Sequence, residues 1–218
     1  MRTDKEILVL VEHRRNEIRD ITFELLTLGR ELALKVDSKL SAIIFGDRVD
    51  DLAGKLTQWA EAVYLVDDPI FKNFNSEAYQ VALAGIFKEH RPTLTLIGHT
   101  AFGVDLAPAL ATSLKLPVAT DCIGVDFDGA KLRVTRTVYG DKLNCDTKVK
   151  VAENYIVTIR PAVFPPVIGG FNGKVDRITS PITEEIKYRK FLEYVEAVVG
   201  EVDITKSDVV VGVGRGIK

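Results

Sequence analysis

Cysteine is nearly absent from this chain of 218 residues. Cys122 and Cys145 are the only two, and they stand in no C-x-x-C or zinc-ligand spacing. That excludes a disulfide framework and a structural zinc site, and both read as small buried hydrophobes. Histidine is equally sparse: His13, His90 and His99 are scattered along the chain. Neither sign of charge dominates, with 29 Lys+Arg against 31 Asp+Glu and a net charge of -2. No global pull toward nucleic acid or anionic lipid follows, so neither is the expected partner. No secretory or transit segment is expected at the start. Residues 1–6 run straight into Ile7 to Val11, an apolar run too short and too early for a secretory or membrane-spanning segment. The cytoplasm is therefore the expected location, without direct membrane insertion.

The common catalytic signatures are missing too. A phosphate-cradling P-loop needs a glycine five residues before Gly-Lys and a Ser or Thr after it, so that backbone N–H groups and the lysine converge on phosphate. Gly54-Lys55 and Gly173-Lys174 have Val49 and Ile168 at the first position and no hydroxyl residue after the lysine. The G-x-S-x-G elbow, H-E-x-x-H and the EF-hand loop are also absent, which removes most support for a hydrolase.

What is present is a β–α alternation. With 46% hydrophobic and 28% charged residues the chain can build a sizeable core, and its length suits one main domain with a small appendage. Ile7 to Val11 reads as a buried strand. Ile18, Ile21, Leu25, Leu28 and Leu32 then recur at three- and four-residue steps on one helix face, with Gly29 on the same face permitting close approach to a sheet. Leu40 to Phe45 is a second strand. A short helix carries Leu52, Leu56 and Trp59, and Ala62 to Val66 is a third strand. Ser76 caps a helix bearing Tyr79, Ala82, Leu83, Ile86 and Phe87, and Thr93 to Ile97 is a fourth strand. The next helix carries Leu106, Leu110 and Leu114, with Pro108 tolerable only in its first turn. Four β–α units with right-handed crossovers give an α/β fold: an open, twisted, mainly parallel sheet with helices on both faces.

After Pro117 helical periodicity disappears. Val118 to Phe127, Lys131 to Tyr139, Lys148 to Ala152 and Tyr155 to Ile159 read as strands of an antiparallel β-rich part, with Asp128-Gly129 as a hairpin turn. Residues 161–181 are rich in Pro and Gly and read as loop, followed by a charged segment from Thr183 to Glu196. Finally, Asp208 to Val213 has a buried-strand pattern ahead of the turn Gly214-Arg215-Gly216, the way a new α/β domain opens. The expected organisation is an N-terminal α/β domain over 1–182, a connector over 183–206 and the first strand and glycine turn of a further domain over 207–218. The 218 residues are expected to be the N-terminal part of a longer polypeptide.

Few single residues stand out as sites. His99 follows a strand, where open α/β sheets place ligands, but a hydrogen-bonded loop residue is the simpler reading. His13 lies in the charged run Glu12 to Asn16, which reads as a solvated loop, and His90 complements a helix C-terminus. Arg215 between two glycines is the most suggestive: the bare backbone admits a ligand closely, while the guanidinium can fork onto a phosphate or cover a flavin ring.

In order along the chain, Gly98-His99-Thr100-Ala101-Phe102-Gly103-Val104-Asp105-Leu106-Ala107-Pro108, Thr120-Asp121-Cys122, Arg136-Thr137-Val138-Tyr139-Gly140-Asp141, Thr158-Ile159-Arg160-Pro161-Ala162-Val163-Phe164 and Gly214-Arg215-Gly216-Ile217-Lys218 resemble the motifs of the alpha subunit of electron transfer flavoproteins. Val104 departs from the family's usual arginine, and Thr137 and Asp141 replace a proline and a small residue. The resemblance implies a heterodimer with a beta subunit and one FAD held mainly by a C-terminal domain, with no cofactor on the N-terminal part alone. It implies an electron carrier between flavoprotein dehydrogenases and an acceptor such as a quinone reductase, rather than an enzyme with its own substrate turnover. Gly214, Arg215 and Gly216 correspond to the flavin-site region, and Cys122 reads as a packed family position. The alternative is an adenine-nucleotide-binding α/β module without a redox role.

Overall fold

The computed structural model describes residues 5–129, 131–195 and 209–216. Strand β1 (Glu6–Leu10) is buried at every position, so both faces of its sheet need a cover. The two covers are separate. Ile7 and Val9 join a core with Leu25, Leu28 and Leu32 of α1 (Asp20–Lys35) and Leu52 and Leu56 of α2 (Asp50–Leu56). Leu8 and Leu10 point the other way, into a second core with Leu83 and Phe87 of α3 (Ser76–His90) and Leu106 and Leu110 of α4 (Ala101–Leu114). Period-two alternation in a strand thus sets which helix meets which side chain. A Cβ on Gly29 would lie 2.8 Å from Leu40 Cδ1, so the glycine does allow α1 to approach the sheet closely.

The other strands are β2 (His13–Arg14) and β3 (Glu17–Ile18), a small hairpin, then β4 (Lys39–Gly46), β5 (Ala62–Asp67), β6 (Leu94–Gly98), β7 (Val118–Asp128), β8 (Lys131–Val138), β9 (Leu143–Lys148), β10 (Tyr155–Ile159) and β11 (Lys174–Arg177). The main sheet has nine strands in the order β11-β5-β4-β1-β6-β10-β7-β8-β9. It is parallel from β11 to β7 and antiparallel only from β7 to β9. The hairpin turn expected at Asp128-Gly129 is present, Gly129 having φ +63° where a side chain would be strained. Among the described residues no helix is long and apolar enough to cross a membrane.

Several expectations need correction. Helix α4 starts at Ala101, capped by Thr100, and therefore carries Pro108 inside it. The lost N–H bond is tolerated in a helix buried along Leu106, Ala107, Leu110 and Ala111. Helix α3 is capped by Asn75, whose Oδ1 accepts from the N–H groups of Glu77 and Ala78, one residue before the expected Ser76. Lys148 to Ala152 is not a strand beyond its first residue; the strand is Leu143 to Lys148, exposed throughout. β10 belongs to the parallel sheet, inserted between β6 and β7. In the Pro- and Gly-rich stretch, β11 was not expected at all. Its four exposed residues pair with β5 through the backbone, and Gly173 fits against Ala60 O where a Cβ would approach to 2.1 Å. The strand expected at 208–213 is not formed over its described part. Val209, Val210, Val211 and Val213 are exposed and pair with no strand there, and an apolar run without a neighbouring ladder has no backbone partners to make it a strand.

Candidate functional site

Open α/β sheets bind ligands at the carboxyl ends of their strands, where the strand order reverses. Here the chain leaves β1 through α1 to β4 on one side, while α3 later delivers β6 to the other side, so the reversal lies between β1 and β6. That crevice is filled by the protein itself. Thr100 Oγ1 accepts from the N–H groups of Phe102 (3.2 Å) and Gly103 (3.4 Å) at the start of α4 and donates to Glu12 Oε2 at 2.7 Å. The Glu12 carboxyl is raised above its ordinary range, chiefly by burial, with the Thr100 bond and the Arg19 charge opposing. Phe74 and Phe102 stack face to face at 3.9 Å across the mouth. A Cβ on Gly103 would fall 1.8 Å from Gly98 O, so this glycine serves helix-to-strand packing and not the approach of a phosphate.

Next to the crevice, the carboxyl ends of β6 and β10 and the Asp121 position within β7 carry one continuous polar network. Arg160, just after β10, forks onto Asp121 with Nε to Oδ1 at 2.9 Å and Nη2 to Oδ2 at 2.6 Å. The same guanidinium donates to Thr137 Oγ1 and to Asp141 Oδ1, both at 2.8 Å. Thr158 Oγ1 accepts from the Asp121 N–H at 3.0 Å and shares a hydrogen bond with His99 Nδ1 at 2.8 Å. His99 Nε2 lies 3.9 Å from Asp121 Oδ1. The Arg160 hydrogen bond is the main reason the Asp121 carboxyl is held below the ordinary aspartate value of 3.8. Charge-assisted, bidentate bonds of this kind fix orientation as well as adding energy. The neighbouring turn needs that fixing, since Tyr139, Gly140 and Asp141 all have positive φ.

The histidines resolve differently from one another. His99 is a hydrogen-bonded loop residue, as expected. His13 is not in a solvated loop: it lies in β2, half-buried, with its ring hydrogen-bonded to Phe45 O at 2.6 Å. His90 ends α3 with its ring against that of Tyr64, centroids 4.5 Å apart. Cys122 is buried, and burial pushes its thiol up to about 11, so it is no redox thiolate. Cys145, expected inside, is exposed on the edge strand β9. Gly214, Arg215 and Gly216 lie in an exposed turn, and nothing stands within 4 Å of a Cβ placed on either glycine.

Asp121 and Arg160 were visible in the sequence only as motif letters. Their pairing, 39 residues apart, needed the insertion of β10 beside β7. The network joins four separate sequence motifs, at 98–108, 120–122, 136–141 and 158–164, into one structure on an open, doubly covered α/β sheet.

The fold defines an α/β domain with a mainly parallel sheet covered by helices on both faces. Residues 7–184 match the family model described as Electron transfer flavoprotein domain, and the chain belongs to the electron transfer flavoprotein family. It is 31% identical over 217 residues to the electron transfer flavoprotein subunit alpha of Thermoanaerobacterium thermosaccharolyticum, covering 98% of this chain and 66% of that protein. The subunit alpha of Syntrophomonas wolfei is 34% identical over 212 residues, covering 96% and 65%. The Protein FixB of Clostridium saccharobutylicum is 29% identical over 216 residues, covering 98% and 65%. The chain spans just under two thirds of the length of these relatives.

Proposed function

We propose that this chain serves as the scaffold part of an electron transfer flavoprotein alpha subunit. In this reading residues 1–182 pack on a beta subunit, 183–206 connect, and 207–218 open the FAD-binding domain. The protein is an electron carrier in the cytoplasm, taking electrons from flavoprotein dehydrogenases and passing them to an acceptor such as a quinone reductase. The observation that carries the reading is the convergence of four family motifs on the single Asp121–Arg160 network. A network that locks a strained turn supplies a rigid surface, and a rigid surface docks at a lower entropic cost than a loose one. Tyr139, 79% exposed on that turn, suits such a contact.

FAD, when bound, supplies the redox chemistry, and the protein's task is to position it and tune it. Gly214 and Gly216 fit one wall of such a site, because their bare backbone is open to close approach. Arg215 would add positive charge and a guanidinium edge for a phosphate or the flavin ring. The test is to express the protein with its natural neighbour and record intact mass and a visible absorption spectrum. Copurification of a second subunit is expected, with a bound-flavin spectrum where the intact mass lies well above 24.1 kDa; a chain of 24.1 kDa as the native product, colourless and with no second subunit, overturns the reading. In the flavin-loaded protein, Arg215→Ala should weaken flavin binding or shift its potential, and unchanged affinity and potential would remove Arg215 from the site.

A further inference from the structure

Residues 183–195 are rich in charge and form no helix or strand, the pattern of a free connector, yet the chain is gripped along its length. At the base the grip is apolar. Ile178, Ile182 and Ile186 pack against the core beneath α3 and α4, and a Cβ on Gly85 of α3 would lie 2.9 Å from Pro181 Cβ, so that glycine lets the chain lie close to the helix. In the middle the grip is polar. The Glu77 carboxylate, in the first turn of α3, accepts from the N–H groups of Lys187 (3.2 Å), Tyr188 (2.9 Å) and Arg189 (3.0 Å). The Arg189 carbonyl accepts from Asn75 Nδ2 at 2.9 Å, and its guanidinium pairs with Asp105 of α4. At the far end the Tyr194 ring lies against the guanidinium groups of Arg14, at 4.3 Å, and Arg15, at 4.9 Å, on the β2–β3 hairpin.

The starts of α3 and α4 and the β2–β3 hairpin all follow the carboxyl ends of strands, so this segment crosses the end of the sheet where the crevice lies. Phe74, half of the aromatic stack at the crevice mouth, faces residues 188–192 across a shallow cleft. Burial shows which grip matters. Tyr188, Leu192 and Val195 are exposed, so beyond Ile186 the segment gains little from apolar packing. The Arg189–Asp105 pair is itself largely in solvent and contributes little. Successive backbone N–H groups form a concavity that suits an anion, and bonds to a carboxylate are stronger than neutral ones. Here the anion is a side chain of the domain itself.

We propose that residues 187–194 are a strap, latched by Glu77 across the carboxyl ends of the sheet, which opens as a unit from Ile186 when that carboxylate lets go. Latched, it lies against Phe74 and ties α3 and α4 to the hairpin. Released, it uncovers the crevice mouth. The strap does not depend on the electron-transfer reading; within that reading it moves the start of the connector from residue 183 to the residues after Tyr194.

The test is limited trypsin digestion of the purified protein, with any subunit that copurifies, the cuts being assigned by mass spectrometry. Strap cleavage after Lys187, Arg189 and Lys190 should be slower than cleavage after Lys150, which is exposed in the loop after β9. Cleavage of a locally opened segment follows the population of the open form. Glu77→Ala should therefore raise all three strap rates together by roughly tenfold or more, with the Lys150 rate unchanged. Asp105→Asn should raise them by no more than about fivefold. Hydrogen exchange on the unaltered protein supplies a second measurement that needs no variant to fold. The amides of Lys187, Tyr188 and Arg189 should exchange at least roughly tenfold more slowly than those of Lys190 to Leu192. The proposal is overturned by strap cuts as fast as the Lys150 cut in the unaltered protein, by strap rates that Glu77→Ala leaves unchanged, by a rise at one strap site alone or equally at Lys150, or by equal exchange of the two sets of amides.

Discussion

The two ends of the main sheet are built on opposite principles. In the parallel half, β1, β6 and β10 are buried at every position between two helical layers. In the antiparallel extension, β8 alternates exposed and buried over Lys131 to Val134, and β9 is exposed throughout. One half draws its stability from side chains packed on both faces, and the other from backbone pairing and one lightly covered face. The Asp121–Arg160 network sits at the seam. It ties β7, the last parallel strand, to the turn that leads out of β8. Rigid scaffold and exposed surface are thereby joined where a docking face would need them to be.

The largest effect that would break this contrast is a cavity in the parallel half. Leu96→Ala on β6, fully buried, should cost roughly 2–5 kcal/mol in a denaturant melt, whereas Leu143→Ala on β9 should stay within about 0.5 kcal/mol. Equal losses would mean the extension is packed as firmly as the core. Next comes Gly103→Ala, which forces α4 away from β6 and should cost about 1–3 kcal/mol by the same measurement.

Smaller is Asp121→Asn, a clean change because asparagine tolerates the residue's φ of +57°. Losing the charge-assisted pair at this partly exposed site should cost roughly 1 kcal/mol. The pH dependence has a definite sign. Because the folded-state Asp121 value is depressed, its contribution is complete above the unfolded value of 3.8 and is lost as pH falls through the folded one. The variant should flatten that acid limb, and an unchanged limb would show that the pair carries no stability. The smallest effect is chemical. Native protein should take up one thiol reagent quickly at Cys145, while Cys122 should react only on unfolding.

Much of this was legible from local pattern. The four β–α units, Gly29 against the sheet, the Asp128-Gly129 turn and the family resemblance all follow from runs shorter than about twenty residues. What escaped had no local signal. β11 is four residues of mixed charge in a Pro- and Gly-rich stretch, and its strand state exists only because the β5 edge is there to pair with it. His13 reads as solvated until Phe45 O, 32 residues away, is brought beside its ring. Residues 209–213 show the converse, since an apolar β-branched run forms no strand where no ladder partner lies alongside it.

The sequence by itself therefore determined the fold class, the order of its units and the family, because apolar periodicity and motif order are properties of neighbouring residues. Tertiary structure alone decided the rest: that β10 enters between β6 and β7, that Asp121 and Arg160 meet and that Glu12 closes the crevice. Each of these depends on which strands lie side by side, and side-chain groups tens of residues apart acquire a joint chemistry only when the sheet sets them within hydrogen-bonding distance.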